Sequence, residues 1–170
     1  MIELGRSLLL SGQFRGHAEL ADAAQILHSS LHLPQPPIPL AAALLEYALT
    51  HAPADLPFSR KTAVEVALRW FPFCPPLVWL AARWNYEQGR IDEAAGLLQK
   101  VLEMGGKKNY DDSISFDQSI FGDETRLNYG VCCAKLGQVK KAINQFKLIE
   151  KGSRFYSFAQ KNIEQLQDRY

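Results

Sequence analysis

The sequence predicts an all-α chain built from repeated antiparallel helical hairpins. Three observations carry that expectation. Apolar residues recur at i, i+3, i+4 and i+7 through most of the chain, the spacing of one buried helical face. Glycines close several of these stretches, where a left-handed residue commonly ends a helix. Two of them, Gly89 and Gly137, stand at corresponding points of two similar stretches.

The hairpin over about 75–106 is the clearest. Its first helix turns Leu77, Leu80, Ala81 and Trp84 inward, with Val78 and Ala82 one row over. Pro75-Pro76 suits a first turn, whose N–H groups have no intrahelical partner. After Gly89, Ile91, Ala94, Leu98, Val101 and Leu102 mark a second helix, expected to stop at Gly105-Gly106. Ala82 and Ala94 are small enough to let two helices cross closely. One such hairpin cannot bury its own apolar surface and needs neighbours.

The rest of the chain supplies them. A hairpin over about 1–33 has a first helix with Ile2, Gly5 and Leu9 ending at Gly12. Its second helix carries Phe14, Ala18, Ala21, Ala24, Leu27 and Leu31. Met1 then falls inside the first helix, which fits either a chain cut from a longer one or a naturally shortened helix. Pro34–Pro39 predicts a semi-rigid, extended connector, better read as a bridge than as a ligand for a proline-binding domain. The hairpin over about 40–72 turns Leu40, Ala43, Leu44, Tyr47 and Ala48 inward, then loops through 52–57. Ser59 is the expected N-cap of its second helix, which carries Ala63, Val66, Ala67 and Trp70.

Gly89 and Gly137 are 48 residues apart, which leaves room for an insertion over 107–122. Tyr110, Phe116 and Phe121 make it aromatic, and Asp111, Asp112 and Asp117 make it acidic; it is expected to fold back on the helices. The hairpin over about 123–151 has Gly130, Gly137, Val139, Ala142, Phe146 and Ile149 in the same register as the one before. Over 153–170, Phe155, Ala159, Ile163 and Leu166 share one face against a polar back, as a capping helix would.

Gly89, Ile91 and Ala94 followed by Leu98, with Pro72 ahead of them, resemble the tetratricopeptide repeat, whose undisturbed period is about 34 residues. Asn85 departs from it, standing where that family usually has an aromatic. The resemblance implies a right-handed α-solenoid of about four hairpins plus a cap, in which the first helix of each hairpin lines a concave face. It places Trp79, Arg83, Tyr86 and Glu87 of the third hairpin in that groove, with Leu127, Asn128, Val131 and Lys135 of the fourth. The implied function is a non-catalytic scaffold holding a peptide or protein partner. Arg83, Asn128 and Lys135 would grip a carboxylate or backbone while Trp79 and Tyr86 supply apolar contact; Trp79 fits a core position equally well. The fuller set that clamps peptide C-termini in this family is incomplete, with Arg126 near one position and no matching lysine in the third hairpin.

A second resemblance is narrower. Ser119-Ile120-Phe121-Gly122 and Asn128-Tyr129-Gly130-Val131 are similar to repeats appended to bacterial glycosyltransferases. That implies an accessory module of a larger enzyme, with the catalytic sugar-nucleotide domain outside these 170 residues. A homo-oligomerising module is a third expectation.

Composition narrows the classes. The net charge of +1 argues against coating nucleic acid, although 125–170 holds nine Lys/Arg against three Asp/Glu, read as a solvated face. No apolar run reaches the roughly 18 residues of a membrane span, and Ser7–Leu10 is too short for a signal peptide. Cys74, Cys132 and Cys133 are odd in number and no disulfide framework, so a reducing cytoplasm is the expected compartment. Cys132-Cys133 read as small packing residues rather than a redox pair. His28 and His32 have the i, i+4 spacing of two metal ligands but no further ligand beside them. The acidic residues Asp111, Asp112, Asp117, Asp123 and Glu124 lack the spacing of a calcium loop, and the last two suit a helix N-terminus. No nucleotide, nucleophile-elbow or zinc motif occurs, so no catalysis, cofactor or metal is expected.

Overall fold

The computed structural model describes residues 18–51, 56–112 and 114–168. Among these there are eight α-helices, one short 3-10 helix and no strand. The helices are α1 (Ala18–Ser29), α2 (Ala41–His51), α3 (Arg60–Trp70), α4 (Pro75–Glu87), α5 (Ile91–Lys107), α6 (Asp123–Lys135), α7 (Val139–Lys147) and α8 (Tyr156–Gln167), with the 3-10 helix at Gln118–Phe121. They form two compact units. The first holds the described residues up to Ala81 together with Asp111–Ser115, and the second Ala82–Tyr110 and those from Phe116 onward. The boundary falls inside α4.

In the first unit α2 packs on both α1 and α3. Every residue from Ala41 to Leu49 is buried, Glu46 and Tyr47 among them, as a helix apolar nearly all round requires. Ser59 caps α3 as expected: its hydroxyl accepts the Thr62 N–H at 3.1 Å. Ala63, Val66, Ala67 and Trp70 are all buried. In α1, Ala24 and Leu27 are buried while Leu31 lies past the helix end and is half-exposed. The expected helix ending at Gly12, and Phe14 after it, lie outside the described residues.

One expectation for this unit is corrected. The proline-rich connector is a run of bends and turns rather than an extended rod. Trp70 donates its indole N–H to the Leu33 carbonyl at 2.8 Å and Arg69 donates to the Leu31 carbonyl, so α3 draws the segment before it inward. His32 lies in the turn after α1, so it does not share a helix face with His28, and both are exposed.

In the second unit α6 packs on α5, α7 and α8, and α7 packs on α8. Ala94, Leu98 and Val101 of α5 are buried, as are Ala142 and Phe146 of α7 and Ala159, Ile163 and Leu166 of α8. The ring of Phe146 lies close against Gly130; a Cβ built there would stand 2.4 Å from its Cε1. Helix α5 does not stop at Gly105-Gly106. It runs on to Lys107, and Lys108 takes the left-handed conformation at φ 51°. Gly105 is instead a contact point: an added Cβ would meet Phe121 Cγ at 2.5 Å.

The insertion therefore does fold back within this unit, its 3-10 helix packing on α5 and α6. Tyr110, Phe116 and Phe121 form one aromatic cluster with ring centroids 5.1–5.7 Å apart. Asp117 caps the 3-10 helix, accepting from the Ser119 N–H at 2.8 Å, and this hydrogen bond holds its carboxyl below the usual range. The middle of the insertion belongs to the first unit, where the Asp111 N–H donates to the Phe73 carbonyl at 2.8 Å and Ile114 is fully buried.

Candidate functional site

The expected groove residues of the second unit come from two helices, α4 and α6. The part of α4 in this unit buries Ala82, Trp84 and Asn85, which leaves Arg83, Tyr86 and Glu87 toward the surface. Helix α6 buries Thr125, Tyr129, Gly130, Cys132 and Cys133. Its other face carries Leu127, Asn128 and Val131, half-buried, and Lys135, exposed. By helical spacing these four form one stripe.

The structure brings the two helices together at one point. The Lys135 ammonium lies 4.7 Å from the centroid of the Tyr86 ring, within cation–π range. One turn back on α4, the Arg83 Nε donates to the Glu87 carboxylate at 3.0 Å. Beneath the same stretch, the Arg90 guanidinium stacks over Trp84 at 4.3 Å and fixes the turn after α4. The surface thus offers hydrocarbon from Leu127 and Val131, an amide from Asn128, an aromatic edge and two cations already steered by partners. Trp79 belongs to the first unit and is half-buried there. Asn85 has 2 % of its surface exposed and sits in the interior.

A polar cluster that local sequence gives no sign of ties α5, α6 and α7 together. The Tyr129 hydroxyl donates to Gln99 Oε1 at 2.7 Å, and Lys141 donates to the same oxygen at 3.4 Å. Its ammonium also lies 5.1 Å from the Tyr129 ring. Burial raises the Tyr129 phenol, and the hydrogen bond with Tyr129 raises Lys141. Burial likewise pushes the Cys132 thiol up to about 11, with Cys133 adding to it, and raises Cys133. Thiols held protonated in this way are poor nucleophiles and poor metal ligands. Among the described residues, no three His, Cys, Asp or Glu side chains stand together as a metal site requires.

Two clefts open elsewhere on this unit. One, of about 450 Å³, lies at the start of α6 between Gly122, Asp123, Glu124, Glu150, Ser153 and Arg154. Arg154 spans it to Glu124 at 3.5 Å. The other, of about 630 Å³, is open and lies at the start of α7 beside Gly137, Lys140 and Lys141. The Ser119–Gly122 and Asn128–Val131 strings have structural work of their own. The Ile120 carbonyl accepts the buried Thr125 hydroxyl, Gly122 closes the 3-10 helix, and Gly130 admits the Phe146 ring. No protein-family model matches the chain, and neither a curated protein nor a solved structure matches it.

Proposed function

We propose that the chain is a non-catalytic, tetratricopeptide-like scaffold, a right-handed α-solenoid that holds a peptide or protein partner on the face carrying Tyr86 and Lys135. The observation that supports this most is the recurrence of one helix-ending turn at Gly89 and at Gly137. Each is followed five residues later by a fully buried alanine, Ala94 or Ala142. On this reading, Arg83 and Lys135 meet carboxylates or backbone carbonyls of the partner, Asn128 orients its backbone, and Leu127, Val131 and Tyr86 take an apolar side chain.

The test is charge reversal. Arg83→Glu with Lys135→Glu abolishes capture of the partner that the tagged wild-type chain draws from its source lysate. Helicity and Tm stay nearly unchanged, because both side chains are exposed and pairs of this kind contribute only about 0.5 kcal/mol. Capture that survives both reversals rules the face out. A second reading, an accessory module of a bacterial glycosyltransferase, draws on the Ser119–Gly122 and Asn128–Val131 strings. A catalytic domain contiguous with this chain in the full-length gene decides for it.

A further inference from the structure

We propose that the corner between α7 and α8 docks the protein on an anionic lipid surface. Leu148 is 57 % exposed and Phe158 59 % exposed, and both belong to this corner. Their immediate neighbours Ile149 and Ala159 are buried, so each of the two stands beside an anchored residue rather than on a loose end. The turn between them is held by its own backbone: Ser153 N–H donates to the Glu150 carbonyl and Tyr156 N–H to the Ser153 carbonyl, each at 3.0 Å. On and beside this turn, Lys147, Lys151, Arg154 and Lys161 are exposed, Arg154 being paired with Glu124 at 3.5 Å, and between residues 147 and 161 the one acid is Glu150.

Scattered apolar residues on a surface need no explanation. Here, two large ones flank one hydrogen-bonded turn that also carries exposed cations. Exposed apolar side chains enter the boundary between headgroups and acyl chains, and each cation near an anionic leaflet adds its own attraction. Either signal alone binds weakly, and both together give a usable docking site. Neither Leu148 nor Phe158 lines either of the clefts described above. The site does not depend on the groove proposed for a protein partner.

The experiment is co-sedimentation of the whole chain with vesicles of phosphatidylcholine, with and without about 30 mol% phosphatidylglycerol, at about 0.1 M salt. The chain pellets with the anionic vesicles, stays in solution with the neutral ones, and is released as salt rises. Leu148→Ser with Phe158→Ser, and separately Lys147→Glu with Lys151→Glu, each lower the partition coefficient by about tenfold or more with an unchanged circular dichroism spectrum. No binding to anionic vesicles, equal binding to neutral ones, or indifference to both double variants overturns the proposal. So does binding of soluble poly-glutamate in place of vesicles, which would make the partner an acidic polypeptide.

Discussion

Gly89 and Gly137, 48 residues apart, end their helices in the same way. Their φ angles are 76° and 73°. The Gly89 N–H donates to the Tyr86 carbonyl at 3.0 Å and the Arg90 N–H to Asn85 at 2.9 Å; the Gly137 N–H donates to Ala134 at 3.1 Å and the Gln138 N–H to Cys133 at 2.9 Å. In both, the residue after the glycine reaches back five positions, satisfying a carbonyl that the helix leaves open. Neither glycine has a neighbour that a methyl group would strike. The left-handed backbone alone demands glycine.

Because the demand is the same, the cost of removing it should be the same. Gly89→Ala and Gly137→Ala are each expected to destabilise by roughly 1 kcal/mol, the left-handed penalty less the entropy alanine removes from the unfolded chain. Urea unfolding of the two variants measures this. A difference between them of more than about 1 kcal/mol would show that the turns are not equivalent.

Gly130 and Gly96 should respond in opposite directions. A methyl group on Gly130 meets the Phe146 ring at 2.4 Å, so Gly130→Ala overpacks α6 against α7 and costs roughly 1–3 kcal/mol. Gly96 stands in α5 with nothing within 4 Å, and Gly96→Ala gains roughly 0.5–1 kcal/mol from helix propensity. Thermal unfolding of both proteins is the check. A harmless Gly130→Ala would contradict the close crossing.

The buried thiols set an alkaline limit. Cys132, at about 11, stays protonated in the folded chain while the unfolded chain loses that proton near its ordinary value of 9.0. The contribution of Cys132 is therefore fully present below about pH 9 and falls as pH rises towards 11, by roughly 2 kcal/mol. Cys133, Tyr129 and Lys141, all raised, act in the same sense. Tm measured from pH 7 to 11 should drop over the upper two units. Replacing both cysteines by alanine should flatten that drop, and native thiols should resist alkylation at neutral pH.

What the sequence made legible was local. The Ser59 cap, the glycine turns and the buried stripes Leu77–Leu80–Ala81–Trp84 and Ala159–Ile163–Leu166 follow from spacing within a few residues, and the structure has them. Gly105-Gly106 misled because glycine's backbone freedom and its small size leave the same trace. Here size mattered, for a contact with Phe121 that lies 16 residues away along the chain. The bent connector, the burial of Ile114 in the first unit and the Gln99–Tyr129–Lys141 cluster likewise depend on partners far off in sequence. Of the candidate face, the residues on α6 came from the resemblance to the tetratricopeptide repeat. The meeting of Tyr86 with Lys135 joins residues 49 apart in the chain, beyond the reach of local spacing.

That meeting is the point on which the proposed partner-binding face depends, and proton NMR reads it without any partner present. With Tyr86 and Lys135 assigned, nuclear Overhauser contacts should join the Lys135 ε-methylene protons to the Tyr86 ring, and ring current should move those protons upfield. Tyr86→Leu should return them to the ordinary lysine position. A Lys135 ε-methylene at that ordinary position in the wild-type chain, with no contact to Tyr86, would contradict the account.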